Sequence, residues 1–337
     1  MTPPLARTTG RSILVVAPNW IGDAVMALPF VRALRRARPG DSLTVLARRG
    51  PAAIFRAQGI ADSVWIASGL LSDAALLARS RVDEAWLLPN SLRSALLPFL
   101  ARVPQRIGYA TDLRAALLTH AVPRPSGTAH QLRAYDRLLA SRAVAPDLDP
   151  PRLPIPIDAL DRARRSIAAA GLPDRAPLAL LAPSAAFGPT KLWPADRFAA
   201  LADKLAQRGV VSGIVVGPGE ERLGEDVSRR ARHRPAVLGA DLDPVELAAL
   251  LRHASVFVGN DSGPMHLAAA VGTPVLAFFG PTDPGRTAPS GSPARVLDRY
   301  LFCSPCFLKR CPYGHECMRE ITVETALAAV EQLLRTT

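Results

Sequence analysis

Lysine is nearly missing from this 337-residue chain: Lys191, Lys204 and Lys309 are the whole complement, against 38 arginines. A bias of that kind is what coding-sequence base composition produces, so it carries little functional information by itself. Aromatic residues make up only 5%, which argues against an RNA-reading sheet or a single-strand channel built on stacking platforms. No apolar run approaches the ~18 residues of a membrane span. The first run, Ile13 to Val16, meets Pro18, Asn19, Gly22 and Asp23; it reads as a strand entering a turn, not as the core of a secretion signal. A P-loop Gly-Lys-Ser/Thr is absent. The nearest approach to a dinucleotide fingerprint, Gly217-Pro-Gly219-Glu-Glu-Arg-Leu-Gly224, has the wrong spacing and a proline in its turn. Hydride transfer and P-loop hydrolysis both lose ground.

About half of the residues (49%) are hydrophobic and 21% are charged, the balance of a globular protein and not of a disordered polyelectrolyte. At ~150 residues per domain, the length points to two domains, each able to bury a core. The formal charge is +12 and the isoelectric point about 10.6, which favours anionic partners such as nucleic acid, phosphorylated lipid or nucleotide. No block of five or six consecutive basic residues occurs, so the charge is spread over helix ends.

Ile13 to Ala17 has the length and β-branching of a fully buried parallel strand. A helix from about Asp23 to Arg36 follows, with Pro29 predicting a kink. Strands near 43–47, 63–66 and 84–88 alternate with helices near 51–58 and 71–80, which implies a parallel sheet covered on both faces. Pro146, Pro150, Pro151, Pro154 and Pro156 form an extended connector, and a helix near 159–170 ends at Gly171. Alternation restarts with a strand at 178–182 and continues to a last amphipathic helix at 323–334. The pattern predicts an α/β protein of two doubly wound, Rossmann-like domains, 1–172 and 173–337, facing each other across a cleft. The final helix is free to pack back on the N-terminal domain.

Three strand-to-helix connections carry candidate chemistry. Gly259-Asn260-Asp261-Ser262-Gly263-Pro264-Met265-His266 combines cap-type residues with a close-approach glycine and a first-turn proline. Amides at such a helix start bind pyrophosphate-type anions; an ordinary well-capped connection is the alternative. Pro183 to Pro194 holds Lys191, whose ammonium can neutralise charge on a departing phosphate or simply lie in solvent. Asn19-Trp-Ile-Gly-Asp23 puts a carboxylate at the edge of the first sheet, as a proton acceptor or as a helix cap.

Taken together, the three stretches resemble the lipopolysaccharide heptosyltransferases, glycosyltransferases of the GT-B fold that use ADP-heptose, and the resemblance runs from Ile13 to about the final helix. Pro89-Asn90-Ser91-Leu-Arg93, Arg106-Ile-Gly108-Tyr109, and His130-Gln131 with Tyr135 are most like the heptosyltransferase II branch. The resemblance implies Asp23 as catalytic base and Lys191 as the phosphate-contacting lysine, with Ser184 to Thr190 as the adjacent donor loop. Asp261 would hold donor-sugar hydroxyls, with Ser262, Gly263 and His266 around the diphosphate. Glu220 or Glu221 would reach the ribose and Leu242 would lie against the adenine. Asn19, Asn90, Ser91 and Arg93 would meet the acceptor, with Arg102, Arg106 and Arg114 as further candidates. The family usually reads Pro-Gly-Ala near Ser184 and Lys-Arg-Trp-Pro near Lys191; here Ser184 and Leu192 depart from it, leaving Lys191 more exposed as the single cation.

The implied reaction is inverting transfer of L-glycero-D-manno-heptose from ADP-heptose to heptosyl-Kdo-lipid A, with heptosyltransferase I activity as the same-family rival. A basic nucleic-acid-binding α/β protein is the rival of another class, and it leaves Asp23, Lys191 and Asp261 unexplained. The expected setting is the cytoplasm, in peripheral contact with the inner membrane, with an anionic lipid A-core acceptor and no nucleic acid. No cofactor or metal is expected: Asp147-Leu-Asp149 lies in the connector, and Asp241-Leu-Asp243 reads as a helix cap before Pro244. All four cysteines fall in Cys303-Ser-Pro-Cys306-Phe-Leu-Lys-Arg-Cys311-Pro-Tyr-Gly-His315-Glu-Cys317, a spacing that leaves structural zinc or free loop thiols open.

Overall fold

In a computed structural model, residues 10–125, 127, 129–172 and 176–336 are described. The chain divides into two units, Met1–Pro151 and Arg152–Thr337. The first begins with β1 (Ser12–Val16), α1 (Ile21–Met26), α2 (Leu28–Ala37), β2 (Ser42–Ala47), α3 (Arg49–Gln58) and β3 (Ser63–Ile66). It continues with α4 (Leu70–Arg79), β4 (Glu84–Leu87), α5 (Leu92–Leu100), β5 (Gln105–Tyr109), β6 (His120–Val122) and α6 (Gln131–Ala140). Its strands lie in the order β3-β2-β1-β4-β5-β6, all parallel. β1 is central, and Ile13, Leu14 and Val15 are essentially inaccessible, as expected where helices cover both faces of a sheet.

The second unit opens with α7 (Ile157–Ala169), β7 (Leu178–Ala182), α8 (Ala195–Ala206), β8 (Val211–Val215), α9 (Glu221–Arg230) and β9 (Ala236–Leu238). After α10 (Pro244–Arg252), β10 (Val256–Asn260), α11 (Gly263–Ala270), β11 (Val275–Phe279), α12 (Pro284–Thr287) and β12 (Ala294–Asp298), it ends with α13 (Glu316–Arg319) and α14 (Val323–Arg335). The strand order is β12-β11-β10-β7-β8-β9, again parallel. Counted from its own first strand, this is the same winding as in the first unit. In both sheets the order reverses beside the first strand, between β1 and β4 and between β7 and β10, where such sheets receive ligands.

Several expectations shift. The helix expected over 23–36 is two helices meeting at Ala27, because Pro29 sits in the first turn of α2, where its missing N–H costs nothing. The division between units falls at Pro151, earlier than 172/173, because α7 packs on α10 and belongs with the second unit; Pro173 itself lies outside the described residues. The last helix packs on its own unit: Leu327, Val330 and Leu333 of α14 join Phe198, Val258 and Phe278 in one core. No helix among the described residues is long and apolar enough to cross a membrane.

Candidate functional site

The residues singled out in the first unit gather at the carboxyl ends of its strands. Asn19 follows β1, and Asn90, Ser91 and Arg93 follow β4. Asn19, Ser91 and Arg93 line a cavity of about 270 Å³, together with Arg48, Ser68 and Gly69 from the ends of β2 and β3. The 68–69 turn is fixed by Asp73 of α4, whose buried carboxylate accepts hydrogen bonds from the Ser68 amide (3.0 Å), the Ser68 hydroxyl (2.7 Å) and the Gly69 amide (3.2 Å). Ser91 also caps α5, accepting from the Ser94 amide. Asn90 does not line the cavity; its carbonyl accepts from Thr111 Oγ1 at 2.9 Å.

Asp23 stands half-buried in the first turn of α1. Its charge reaches Tyr135 of α6, whose phenol is pushed well above its ordinary pKa by burial and then by that carboxylate. His130, grouped with Tyr135 in the sequence, caps α6 by accepting from the Leu132 amide.

Two of the arginines proposed as acceptor contacts are engaged within the first unit itself. Arg114 is completely buried. Its Nε donates to the Tyr109 carbonyl at 2.8 Å, and its Nη1 to the Pro89 carbonyl at 2.5 Å and Ser94 Oγ at 2.7 Å. Burial lowers its pKa to about 10. It is the internal brace of the loop after β4. Arg106 is spent likewise on the Leu117 and Val103 carbonyls. Arg93 and Arg102 are exposed.

In the second unit, β7 and β10 are hydrogen-bonded neighbours, so the connections after them meet. Asn260, fully buried at the end of β10, receives the Trp193 amide on its Oδ1 at 2.9 Å and donates from Nδ2 to the Pro183 carbonyl at 2.8 Å. One side chain thus clasps both ends of the 183–193 loop. Trp193 packs edge-on to Phe198 at 4.9 Å and against Phe278 at 4.4 Å, contacts worth about 0.5–1.5 kcal/mol each beyond area burial.

On that base, Lys191 Nζ lies 2.5 Å from Asp261 Oδ2 and 3.2 Å from the Asp261 carbonyl oxygen. Thr282, after β11, donates its hydroxyl to the same carboxylate oxygen at 2.7 Å. The two charged side chains are only 13% and 6% exposed. Lys191 is therefore not the exposed single cation expected: it is paired, and its ammonium lies 5.0 Å from the centre of the Phe187 ring.

Asp261 immediately precedes α11, whose N-cap is Ser262. No side chain caps this helix, and the Ser262 hydroxyl is buried without a partner among the described residues. α10 provides the contrast. There Asp243 and Glu246 form a complete capping box, so the second Asp-x-Asp triplet is a cap, as its position before Pro244 implied. His266 is buried in the first turns of α11, and Ser184 and Thr190 are buried in the loop before Lys191.

The remaining donor candidates are less convergent. The Glu220 carboxylate accepts from the Gly217 amide at 2.8 Å and Glu221 from the Gly219 amide at 3.1 Å. The latter pKa is lowered by its own amide and by that of Gly219. Both shape the turn into α9. Leu242 is half-buried before α10. In the connector, Asp147 accepts from Arg32 Nε at 2.7 Å and from the Asp149 amide at 3.1 Å, which makes the first triplet a strut. The four cysteines are free thiols, and no group of three or more His, Cys, Asp or Glu among the described residues is arranged to hold a metal ion.

Sequence reasoning missed Thr282 and Phe187, for which no local signal exists. It saw Asn260 only as cap-type, although an asparagine ending an apolar strand is a signal in itself.

A profile of glycosyltransferase family 9 (heptosyltransferase) matches residues 74–316. Lipooligosaccharide heptosyltransferase 2 of Haemophilus influenzae is 32% identical over 165 residues, 47% of each chain. Its Campylobacter jejuni counterpart is 29% identical over 160 residues, 46% of this chain and 50% of that protein. The chain spans about half the length of the curated relatives it matches. Among solved structures, ADP-heptose lps heptosyltransferase II of Escherichia coli superposes with a TM-score of 0.82 at 24% identity, over 96% of this chain and 99% of that one. That likeness speaks for the fold.

Proposed function

The chain belongs to glycosyltransferase family 9, the heptosyltransferases, and from that premise we propose that it transfers L-glycero-D-manno-heptose from ADP-heptose to the heptosyl-Kdo-lipid A inner core with inversion. The observation that carries the reading is the Lys191–Asp261 pair at 2.5 Å beside the uncapped start of α11. A cation, a carboxylate and a helix dipole at one strand end make a receptacle for a sugar diphosphate.

The second unit is the donor-binding one in this reading. Lys191 and the α11 amides receive the diphosphate, while Asp261, released from part of its bond to Lys191, takes sugar hydroxyls. Ser184 and Thr190 shape the loop beneath, and Ser262, Gly263 and His266 surround the phosphates. Glu220 or Glu221 serves the ribose and Leu242 the adenine face. The first unit binds the acceptor through Asn19, Asn90, Ser91 and Arg93, and the cavity beside β1 takes part of that anionic lipid. In the transfer, the acceptor hydroxyl gives its proton to the Asp23 carboxylate and its oxygen bonds to the anomeric carbon. The bond from that carbon to the β-phosphate oxygen breaks, and its electron pair leaves with ADP. Ammonium and helix amides offset part of the leaving charge, and full activity without a divalent metal is expected. Peripheral contact of the basic protein with the anionic inner face of the membrane follows from the same acceptor chemistry.

The test is a donor screen by thermal shift with ADP, GDP, UDP and their sugars. Selective stabilisation by ADP and ADP-heptose supports the reading, and equal indifference to all three nucleotides overturns it. Activity unchanged by EDTA is expected. Truncated lipid A-core acceptors then separate second-heptose from first-heptose transfer.

A further inference from the structure

The proposed donor site has a charge deficit. A nucleoside diphosphate leaves with about three negative charges near neutral pH, yet Lys191 is matched by Asp261 at 2.5 Å, so the pair adds no net charge. The start of α11 contributes only about half a positive charge. Another cation is required, and the second unit has one in place.

Lys309, one of three lysines in the chain, lies with its Nζ 5.9 Å from the centre of the same Phe187 ring that Lys191 approaches at 5.0 Å. It comes from the cysteine-bearing loop, and that loop is fastened to the Lys191 turn by two hydrogen bonds and packs closely on it at Gly188. Thr190 Oγ1 donates to the Leu308 carbonyl at 2.7 Å. His315 Nε2 lies 2.5 Å from the Thr190 carbonyl oxygen. Gly188, at φ +151°, faces the Lys309 carbonyl so closely that a Cβ there would come within 3.2 Å of it. The two lysines are therefore carried on one stapled assembly around one aromatic ring. Lys309 is exposed, and no carboxylate among the described residues pairs with it.

We propose that Lys309 is a second diphosphate-binding cation of the donor site, delivered to the Lys191 turn by the 303–317 loop. The inference rests on the donor reading above and adds a residue to it. In it, Lys191 is the ammonium tied to Asp261 and Lys309 supplies the uncompensated charge. The Phe187 ring lies within about 6 Å of both ammonium groups and attracts cations without neutralising them.

The experiment is calorimetric titration of ADP, AMP and adenosine into the full-length wild type, Lys309→Ala, Lys309→Arg, Lys191→Ala and Lys204→Ala. Lys204 is a control, since it pairs with Glu324 at 3.5 Å on the far end of α8. Lys309→Ala is expected to weaken ADP about tenfold, AMP less and adenosine hardly at all, because one charge-assisted phosphate contact is lost. Arginine should restore most of the loss, and the melting temperature of the ligand-free protein should not move. ADP affinity within twofold of wild type for Lys309→Ala, with Lys191→Ala impaired, overturns the role of Lys309 and leaves the donor reading standing. Equal losses for ADP and adenosine overturn it as well, by showing a merely structural part. Failure of the wild type to bind ADP defeats both readings together.

Discussion

The two units wind their strands in the same order, β3-β2-β1-β4-β5-β6 and β9-β8-β7-β10-β11-β12, yet they treat the place where that order reverses in opposite ways. In the first, residues 17–20 lead from β1 straight into α1, and a polar hollow with Arg48 and Arg93 on its walls stays open. In the second, residues 183–194 fold back over the sheet, Asn260 clasps them, and two charges are sealed against each other. The winding fixes where a ligand is received; the length of one connection and one buried amide decide what kind. In the proposed reading, the open side takes the bulky anionic acceptor and the sealed side takes the small, highly charged donor.

Four substitutions test that contrast, beginning with the largest effect. Asp23→Asn in the first unit is expected to lower turnover by about two to four orders of magnitude, with ADP affinity unchanged by titration; a matching loss of ADP binding would mean the units do not divide the labour. Lys191→Ala in the second should lower ADP affinity as well as rate. It should weaken ADP about ten- to a hundredfold, as loss of a charged phosphate contact and of Asp261's partner implies; unchanged affinity would remove Lys191 from the phosphates.

Asn260→Ala strands the buried Trp193 amide and Pro183 carbonyl and is expected to cost about 3 kcal/mol in denaturant unfolding. A loss below about 1 kcal/mol would show that the clasp is not what closes the second site. The smallest effect concerns the first unit's own strut. Burial raises the pKa of Asp147, but Arg32, the Asp149 amide and Arg36 outweigh it and hold the carboxyl below its ordinary value. Its contribution is therefore present above the unfolded pKa, near 3.9, and is lost as pH falls through the lower folded value. Asp147→Asn should flatten the acid limb of the stability curve, and an unchanged limb would show the strut to be electrostatically idle.

Strands buried on both faces announced themselves. Ile13 to Val16, Leu178 to Ala182 and Val275 to Phe279 are apolar throughout, as a parallel sheet under helices requires. β5, β6 and β12 escaped because they lie toward or at sheet edges and carry Gln105, Arg106, His120 and Arg295, residues an edge tolerates and a pattern search discards. α5 was hidden by Pro98 in its interior. In the second unit's candidate site Lys191 and Asp261 were both legible, each as a partner for a ligand. That they partner each other was not, since 70 residues separate them and only the adjacency of β7 and β10 brings them together. Arg114 misled in the other direction: an arginine in a basic chain reads as surface charge, and nothing local says that Pro89, Tyr109 and Ser94 will enclose it.

The loop that carries Lys309 also carries every thiol of the chain. Cys317 is buried against Gly280, where a Cβ would come within 2.9 Å of its sulfur. Burial and then the neighbouring thiols push its pKa up to about 11. It stays protonated and slow toward electrophiles. Cys303, Cys306 and Cys311 are half-buried, and they share a stapled segment with the Lys191 turn. Electrophile labelling is therefore expected to reach Cys303, Cys306 and Cys311 well before Cys317, which serves as the silent reference within the same segment.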